Sequence, residues 1–357
     1  MIAWFRPLPA LAAGMALAVT LSACIAPGGP RPATTGAAGP SVQVQPGDDR
    51  ANWPRTLRLG LFGGDDAEQV IENARPLKTF LEARLGIPVE FFTGTSYSAV
   101  IEAMRANKVD AMFVGPFAYI LAVQEANAEA LVVGVSTTAR EPVFDPSIRP
   151  TYFSVISVIK GTGITRVSDL KGKQFAFVDP ASASGHLVPK TTLIQAGIDP
   201  DKDMKTIFAG SHPTAVAALW NRKVDAAAST ERTLVTAAQN GQIELCFFPD
   251  ERINVDRTPA EIQRLFDSCP DGKIVPLLYS RPIPNTPLAV RRDLPESFKK
   301  ALRQALLETQ NDPEYIRQRR QWFLDPTEEL KLSRLDEAYN PLRDVARLLK
   351  LDLRSLE

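Results

Sequence analysis

SAVIEAMRANKVDA, residues 98–111, returns with one deletion as TAVAALWNRKVDA at residues 214–226. In the first copy Val100, Ile101 and Met104 lie at helical spacing, so one face of a helix is apolar. Both copies end in Lys-Val-Asp-Ala, the start of a short apolar run that favours a strand. A repeated helix-to-strand unit predicts two similar α/β lobes.

Short apolar runs alternate with helical patterns along much of the chain. The runs that predict strands are Leu57–Phe62, Val89–Phe92, Ala111–Val114, Phe175–Val178, Thr206–Phe208 and Ala226–Ala228. This alternation is typical of α/β folds, and we expect each lobe to be a mixed, mainly parallel sheet flanked by helices. Ligands of such folds bind at the carboxyl ends of the strands, so the turns there are where function is expected.

The last part of the chain is predicted to be helical. Asp293–Trp322 carries apolar residues in helical register and ends in a basic stretch, and a final helix is expected from Leu335 to Leu351. The basic stretch, Arg317–Arg320, is more typical of a solvated helix face than of a binding patch.

The first residues predict an exported protein. Arg6 precedes an apolar run from Leu8 to Val19 that is too short to span a membrane, and Leu21-Ser22-Ala23-Cys24 follows. Residues 1–23 are therefore predicted to be a signal peptide, and residues 24–54, rich in Pro, Gly and Ala, a flexible linker. Bacterial lipoprotein signals resemble this pattern, which implies a lipid on Cys24 that anchors the protein at the extracytoplasmic face of the cell membrane. A plain secretory signal is the alternative.

Composition excludes some classes of function. The chain has 41 basic and 41 acidic residues, so no strong field favours nucleic acid. In an exported chain Cys246 and Cys269 are predicted to form a disulfide. A metal site is not expected, because only His186 and His212 are available and neither has ligand spacing to the cysteines.

Hydroxyls, glycines and one histidine dominate the turns after the predicted strands. These turns are residues 63–65 (GGD), 93–97 (TGTSY), 115–119 (GPFAY), 179–185 (DPASASG), 210–212 (GSH) and 229–231 (STE). Hydroxyls and the N–H groups at helix starts bind oxyanions, so Ser96, Ser182 and Ser184 are candidate ligands of an anion. Helix capping is the alternative role of each serine.

Four further residues are candidates for the same site. His212 would donate a hydrogen bond to an anion, and Tyr97 and Tyr152 each abut a turn into which a phenol could reach. Glu231 would meet a cationic end of the ligand, or only stabilise the dipole of its helix. The histidine and the tyrosines have structural roles as their alternatives.

Enzyme motifs are missing from the sequence. It has no G-x-x-x-x-G-K-[ST] loop and no H-E-x-x-H, and Ser184 lacks the glycine two residues earlier that a nucleophile elbow needs. We therefore expect a binding protein without a cofactor rather than an enzyme.

The chain resembles the phosphate/phosphite/phosphonate-binding family of ABC-transporter solute-binding proteins. The family signature D-P-x-S-x-S-G-x-x-x-P is matched by Asp179–Gly185 with Pro189, and the likeness runs from about residue 57 to residue 294. It implies the two-lobed periplasmic-binding-protein fold of type II. It also implies which residues hold the phosphorus-bound oxygens: Ser182, Ala183, Ser184, His212, Tyr97 and Tyr152.

Two positions depart from the family pattern. Ala183 stands where the family commonly has threonine, so one hydroxyl is missing. Of the two carboxylates that meet the amine of aminoalkyl phosphonates, Glu231 matches one and Thr286 replaces the other. Residues 248–273 look like an insertion relative to the family.

The resemblance further implies a domain plan and partners. Residues 55–150 with 285–335 would form lobe 1, residues 152–284 lobe 2, and residues 336–357 a C-terminal helix. The expected partners are a small phosphorus oxyanion and an ABC permease, with the protein a monomer. A sensor-type binding protein and an enzyme of the pyrimidine-synthase type, which shares the fold, are the alternatives.

Overall fold

The structure is a computed structural model that describes residues 50–62, 67–250 and 252–349. The predicted signal peptide, Cys24, almost all of the linker, the turn at 63–65 and the end of the C-terminal helix lie outside these residues. Within them, no helix is long and apolar enough to cross a membrane.

Strands and helices alternate along the described chain. The strands are β1 (Leu57–Phe62), β2 (Val89–Gly94), β3 (Ala111–Phe113), β4 (Ala128–Ser136), β5 (Thr151–Tyr152), β6 (Ser154–Ile159), β7 (Gln174–Phe177), β8 (Lys205–Phe208), β9 (Ala226–Thr230), β10 (Ile274–Tyr279), β11 (Ile283–Pro284), β12 (Pro287–Arg291) and β13 (Gln321–Leu324). The α-helices are α1 (Ala67–Leu85), α2 (Tyr97–Arg105), α3 (Pro116–Glu125), α4 (Val188–Gln195), α5 (Pro200–Asp203), α6 (His212–Trp220), α7 (Glu231–Gln239), α8 (Pro259–Ser268), α9 (Glu296–Glu308), α10 (Pro313–Arg319) and α11 (Asn340–Leu348).

Two larger sheets organise these elements. The first has the order β13-β4-β12-β3-β1-β2 and the second the order β10-β6-β9-β7-β8. Helices α1 and α9 pack on the first sheet through a core that includes Leu77, Phe298 and Leu302. In the second sheet the core on one face joins α6 to β7 and β9. Each sheet therefore has its own hydrophobic core.

The strands of each sheet run mainly in one direction. Parallel pairing joins β1 to β2 and β3, and β7 to β8 and β9. The strands β12 and β6 run against their neighbours on both sides. The strand β6 follows β5 and β12 follows β11, and β5 and β11 pair in a two-stranded antiparallel sheet where the chain crosses between the two larger sheets. The prediction of mixed, mainly parallel sheets is therefore right.

The two repeated stretches fold alike. Each forms a helix, α2 or α6, and then a left-handed residue, Asn107 or Arg222. The aspartate that follows accepts a hydrogen bond from a backbone N–H at the start of the neighbouring parallel strand: Asp110 from Arg58 (3.0 Å) and Asp225 from Gln174 (2.8 Å). The repeat thus fixes the same helix-to-strand connection in both sheets.

The helix predicted over Asp293–Trp322 needs correction. It is two helices, α9 and α10, and the segment after them is the strand β13. Arg320 has a φ of 53°, which ends α10, and Trp322 is fully buried in the sheet core. The last helix, expected from Leu335, is α-helical only from Asn340 to Leu348 and begins with a 3₁₀ turn.

Candidate functional site

A cavity of about 1060 Å³ lies where the strand ends of the two sheets face each other. From the first sheet it is lined by residues after β3 and by the last residue of β4, and from the second by the starts of α6 and α7. The sequence-predicted residues that line it are Tyr97, Tyr152, Ser182, Ala183, Ser184, His212, Glu231 and Thr286. The structure therefore brings eight of the nine predicted ligand residues to one cavity.

The ninth, Ser96, is not among the lining residues that the structure describes. Its hydroxyl accepts a hydrogen bond from the backbone N–H of Ala99 (3.1 Å) and so caps α2. This is the alternative role considered for each serine, and we leave Ser96 out of the candidate site.

Ser182 and Ser184 begin the helical segment that follows β7. A π-helical turn, Ala183–Leu187, leads into α4, and the Ser182 hydroxyl accepts the Gly185 N–H (2.9 Å). Both serines are buried. The first N–H groups of a helical segment have no partner within it, so those of Ala183 and Ser184 are available to an anion.

Two tyrosines stand beside the two serines. Burial raises the pKa of Tyr97 and of Tyr152, and both phenols stay protonated at neutral pH. A hydrogen bond with the Ser182 hydroxyl lowers the pKa of Tyr97, and one with the Ser184 hydroxyl lowers that of Tyr152, by less than burial raises it. Tyr97 starts α2 of the first sheet, so its phenol meets a serine of the second sheet across the cavity.

His212 is the first residue of α6, after the cap Ser211. Burial lowers the pKa of His212 to about 4, so the ring is neutral at pH 7. Its Nδ1 is buried and has no hydrogen-bond partner among the described residues. A neutral imidazole can donate one N–H to a ligand.

Glu231 and Thr286 lie on opposite sides of the cavity. Glu231 is 2% exposed, and its Oε2 accepts the backbone N–H of Asn254 (2.9 Å). Burial raises the pKa of Glu231 to about 7, which the N–H from Asn254 only partly offsets. The other oxygen of Glu231, Oε1, is buried and has no hydrogen-bond partner among the described residues. Thr286 precedes β12, and its carbonyl oxygen accepts a hydrogen bond from the backbone N–H of Gly134 (2.9 Å).

Sequence reasoning missed three further lining residues, Ser136, Arg232 and Asn254. Ser136 ends β4, and the apolar run 131–135 before it was a signal for that strand. Asn254 has a φ of 62° and lies in the segment that looked like an insertion; its Nδ2 donates to the Ser136 carbonyl (3.2 Å). Arg232 donates to the Ser136 hydroxyl (2.9 Å). These contacts join the two sheets beside the cavity.

A disulfide joins Cys269 of the same segment to Cys246, which lies just before it, with their Cα atoms 5.9 Å apart. It ties the end of α8 to the chain that leads towards Asn254. In the described part of the chain, no three His, Cys, Asp or Glu residues are grouped so as to hold a metal ion.

Comparison with known proteins identifies the family of this chain. Residues 59–333 match the model of a family described as ABC transporter, phosphonate, periplasmic substrate-binding protein. The phosphate-import protein PhnD of Mycolicibacterium smegmatis is 32% identical over 186 residues, 49% of this chain and 54% of that protein. The phosphonates-binding periplasmic protein of Escherichia coli is 28% identical over 184 residues, 50% and 52% of the two chains. The chain thus spans about half the length of these curated relatives.

A solved structure supports the fold. PhnD1 of Prochlorococcus marinus, determined with methylphosphonate, superposes with a TM-score of 0.63 at 17% identity, covering 83% of this chain and 99% of that one. The predicted two-lobed fold of type II is confirmed by this likeness. The family is one of transport proteins rather than enzymes, which agrees with the missing enzyme motifs. With the family model matching most of its length, the chain belongs to the periplasmic phosphonate-binding proteins of ABC transporters.

Proposed function

We propose that the protein captures a phosphonate, phosphite or phosphate in the cavity between its sheets and delivers it to an ABC permease. The observation that carries the proposal is the convergence of two buried serines, two protonated tyrosines and one neutral histidine on one cavity. All five side chains can donate a hydrogen bond, and a phosphorus-bound oxygen accepts several. The names of the two curated relatives, a phosphate importer and a phosphonate binder, agree with this ligand class.

Neutral donors suit an ion that must be released again. A hydrogen bond from a neutral donor to an oxyanion is charge-assisted, because the acceptor is charged, and is about twice as strong as one between two neutral groups. Several such bonds can hold the ion without a buried lysine. In this proposal the phosphorus group lies on Ser182, Ala183, Ser184 and His212, with Tyr97 and Tyr152 closing from the sides.

Closure of two lobes is the proposed mechanism of capture. The lobes would be residues 55–150 with 285–335 and residues 152–284, followed by the C-terminal helix predicted over 336–357. Tyr339 and Leu342 share one core with Tyr119 of lobe 1 and with Ala183 and Leu187 of lobe 2, so this segment packs against both lobes. A permease would recognise the closed form, because a ligand shifts the lobes only by binding one arrangement better.

Titration of the purified full-length protein with phosphate, phosphite, methylphosphonate and 2-aminoethylphosphonate tests the function. We expect calorimetric binding of at least one of them, weakened about 10–100-fold by Ser184→Ala or His212→Ala, because each removes a charge-assisted hydrogen bond. Ser268→Ala, which removes an exposed hydroxyl of α8, is the matched control.

The absence of heat with all four ions would refute the proposal. Unchanged affinity in both Ser184→Ala and His212→Ala would place the site elsewhere, provided that circular dichroism shows both variants to be folded.

We also propose that the mature protein begins at Cys24 and is held by a lipid at the extracytoplasmic face of the cell membrane. The support is the sequence pattern from Arg6 to Cys24. Each buried CH₂ of an acyl chain contributes about 0.8 kcal/mol to membrane binding, so two or more chains give stable attachment.

Cys24→Ser is expected to move the protein from the membrane fraction to the soluble fraction, because the thioether to the lipid needs the sulfur. Fractionation of cells that express the variant, with immunoblotting of both fractions, measures this. Continued membrane attachment of the Cys24→Ser protein would contradict lipidation at this residue.

A further inference from the structure

A guanidinium lines the cavity without a carboxylate partner in the described chain. Arg232 is the second residue of α7, and the hydrogen bond that it makes is from Nη1 to the Ser136 hydroxyl (2.9 Å). No ion pair joins it to any described acidic residue, so its remaining N–H donors are free to meet a ligand.

Two more arginines stand behind Arg232. Burial, and then the positive charges of Arg319 and Arg320, lower the pKa of Arg232 to about 10, so it remains charged at pH 7. Arg320 donates to the Ala139 carbonyl (2.5 Å), and Nε of Arg319 is buried without a described partner. Arg319 and Arg320 thus add positive charge beside Arg232, whereas the charges that shift the pKa of Glu231 are those of Arg257 and Asp250.

Such a group of cations is costly unless an anion meets it. A buried charge without a partner loses several kcal/mol of hydration, and the attraction of an opposite charge offsets this loss. The half-buried Arg232, whose described hydrogen bond is to a neutral hydroxyl, thus favours an anionic ligand group.

The cavity has room for a second group of the ligand. Its volume of about 1060 Å³ is at the upper limit of sites for drug-sized molecules, which are roughly 300–1,000 Å³. A phosphate ion would occupy only a small part of it.

The phosphorus site and Arg232 are close in the fold. Thr230, which precedes α7, pairs with Ser154 of β6, and the Ser154 hydroxyl donates to the Ser184 carbonyl (2.6 Å). Paired strands lie about 4.8 Å apart, so the helix starts that carry Ser184 and Arg232 are neighbours. A ligand with a short carbon chain can reach from one to the other.

We propose that Arg232 and Ser136 bind a second oxyanion group, so that the preferred ligands are phosphonates or phosphate esters with a carboxylate or a second phosphoryl group at the far end. This rests on the proposed function, which supplies the site of the first phosphorus group. The planar guanidinium of Arg232 matches the two oxygens of either group. The Ser136 hydroxyl accepts from Arg232 and Gln321, and its own proton is left to donate.

Paired ligands test the proposal on the full-length protein by calorimetry. Phosphonoacetate, 3-phosphonopropionate and 4-phosphonobutyrate are compared with ethyl-, propyl- and butylphosphonate, which have the same reach without the second charge; methylenediphosphonate tests a second phosphoryl group. We expect at least one doubly anionic ligand to bind tenfold or more tightly than its neutral-tailed counterpart.

In Arg232→Gln this ratio of dissociation constants is expected to fall below about threefold. Arg317→Gln is the matched control, because it removes a positive charge from the exposed face of α10 that is paired with Glu314, and it should keep the wild-type ratio. If Arg232→Gln does not fold, Arg232→Lys keeps the charge without the planar fork, and the ratio should still fall.

Two results would overturn the assignment of Arg232. One is a ratio near one for every ligand pair in the wild-type protein while methylphosphonate binds. The other is a preference for the doubly anionic ligand that persists in folded Arg232→Gln. Failure of every phosphorus ligand to bind would instead overturn the proposed function.

Discussion

Gly185→Ala is expected to destabilise the protein by about 1–3 kcal/mol, because an added methyl group has no room beside β7. A Cβ at this position would lie 2.3 Å from Cβ of Val178 and 2.8 Å from the Ser182 hydroxyl. The backbone is tied on both sides, since Gly185 N–H donates to Ser182 and its carbonyl accepts the Val178 N–H (3.0 Å). The helix start must then shift, and we expect affinity for the oxyanion to fall with the stability.

Urea denaturation of the variant and of Gly115→Ala measures the effect. The control adds a methyl group in the same cavity at ordinary contact distance, 3.5 Å from the Tyr97 ring, at a φ of −53° that alanine adopts freely. Gly115→Ala should leave the free energy of unfolding within about 0.5 kcal/mol of the wild-type value. Equal stability of both variants would show that Gly185 is not confined by Val178.

The confined position of Gly185 links the signature to the geometry of the candidate site. The motif Asp179–Gly185 places two hydroxyls at a helix start, and its glycine allows that start to approach the strand end. These are short-range relations of neighbouring residues, and the sequence alone determines them. The same is true of β1, whose predicted and observed bounds are identical, and of the repeat that forms α2 and α6.

Relations over long sequence separations were not predictable in the same way. The strands β4 and β6 were missed because the chain crosses between the sheets around them, and no helix follows β4 to complete the alternation. Asn254 reaches Ser136 across 118 residues and Glu231 across 23. The position of Arg319 and Arg320 beside Arg232 was not predictable either. The segment that forms β13 was predicted as helix, and the two arginines before it as part of a solvated helix face.

These long-range contacts form the part of the cavity to which the family signature contributes no residues. In the proposed function, the phosphorus end is formed by residues of the signature and the turns around it. The far end combines Arg232 with Ser136 from the first sheet, and Glu231 with Asn254 from the segment near the disulfide. Ligand selectivity among phosphorus oxyanions is therefore expected to depend on Glu231 and on three residues that the sequence did not single out: Ser136, Arg232 and Asn254.

Glu231 and His212 are expected to give opposite pH dependences of stability, each of about 3 kcal/mol. The pKa of Glu231 rises from 4.5 to about 7 on folding, so its contribution is complete below pH 4.5 and is lost as the pH rises to 7. The pKa of His212 falls from 6.5 to about 4, so its contribution is complete above pH 6.5 and is lost as the pH falls to 4. Between pH 4.5 and 6.5 the two slopes cancel.

Single variants separate the two contributions. Relative to wild type, the free energy of unfolding of Glu231→Gln should rise by about 3 kcal/mol from pH 4.5 to 7, and that of His212→Asn should rise by a similar amount from pH 6.5 to 4. Neither charge contributes to the pKa shift of the other, so the two effects should add in the double variant. The difference between its free energy of unfolding and that of wild type should therefore be nearly constant between pH 4.5 and 6.5. Urea denaturation without ligand at four pH values measures all three curves. If the curves of Glu231→Gln and wild type are parallel, Glu231 is ionised in the folded protein between pH 4.5 and 7. A second anionic group bound near Arg232 would then be repelled by the negative charge of Glu231.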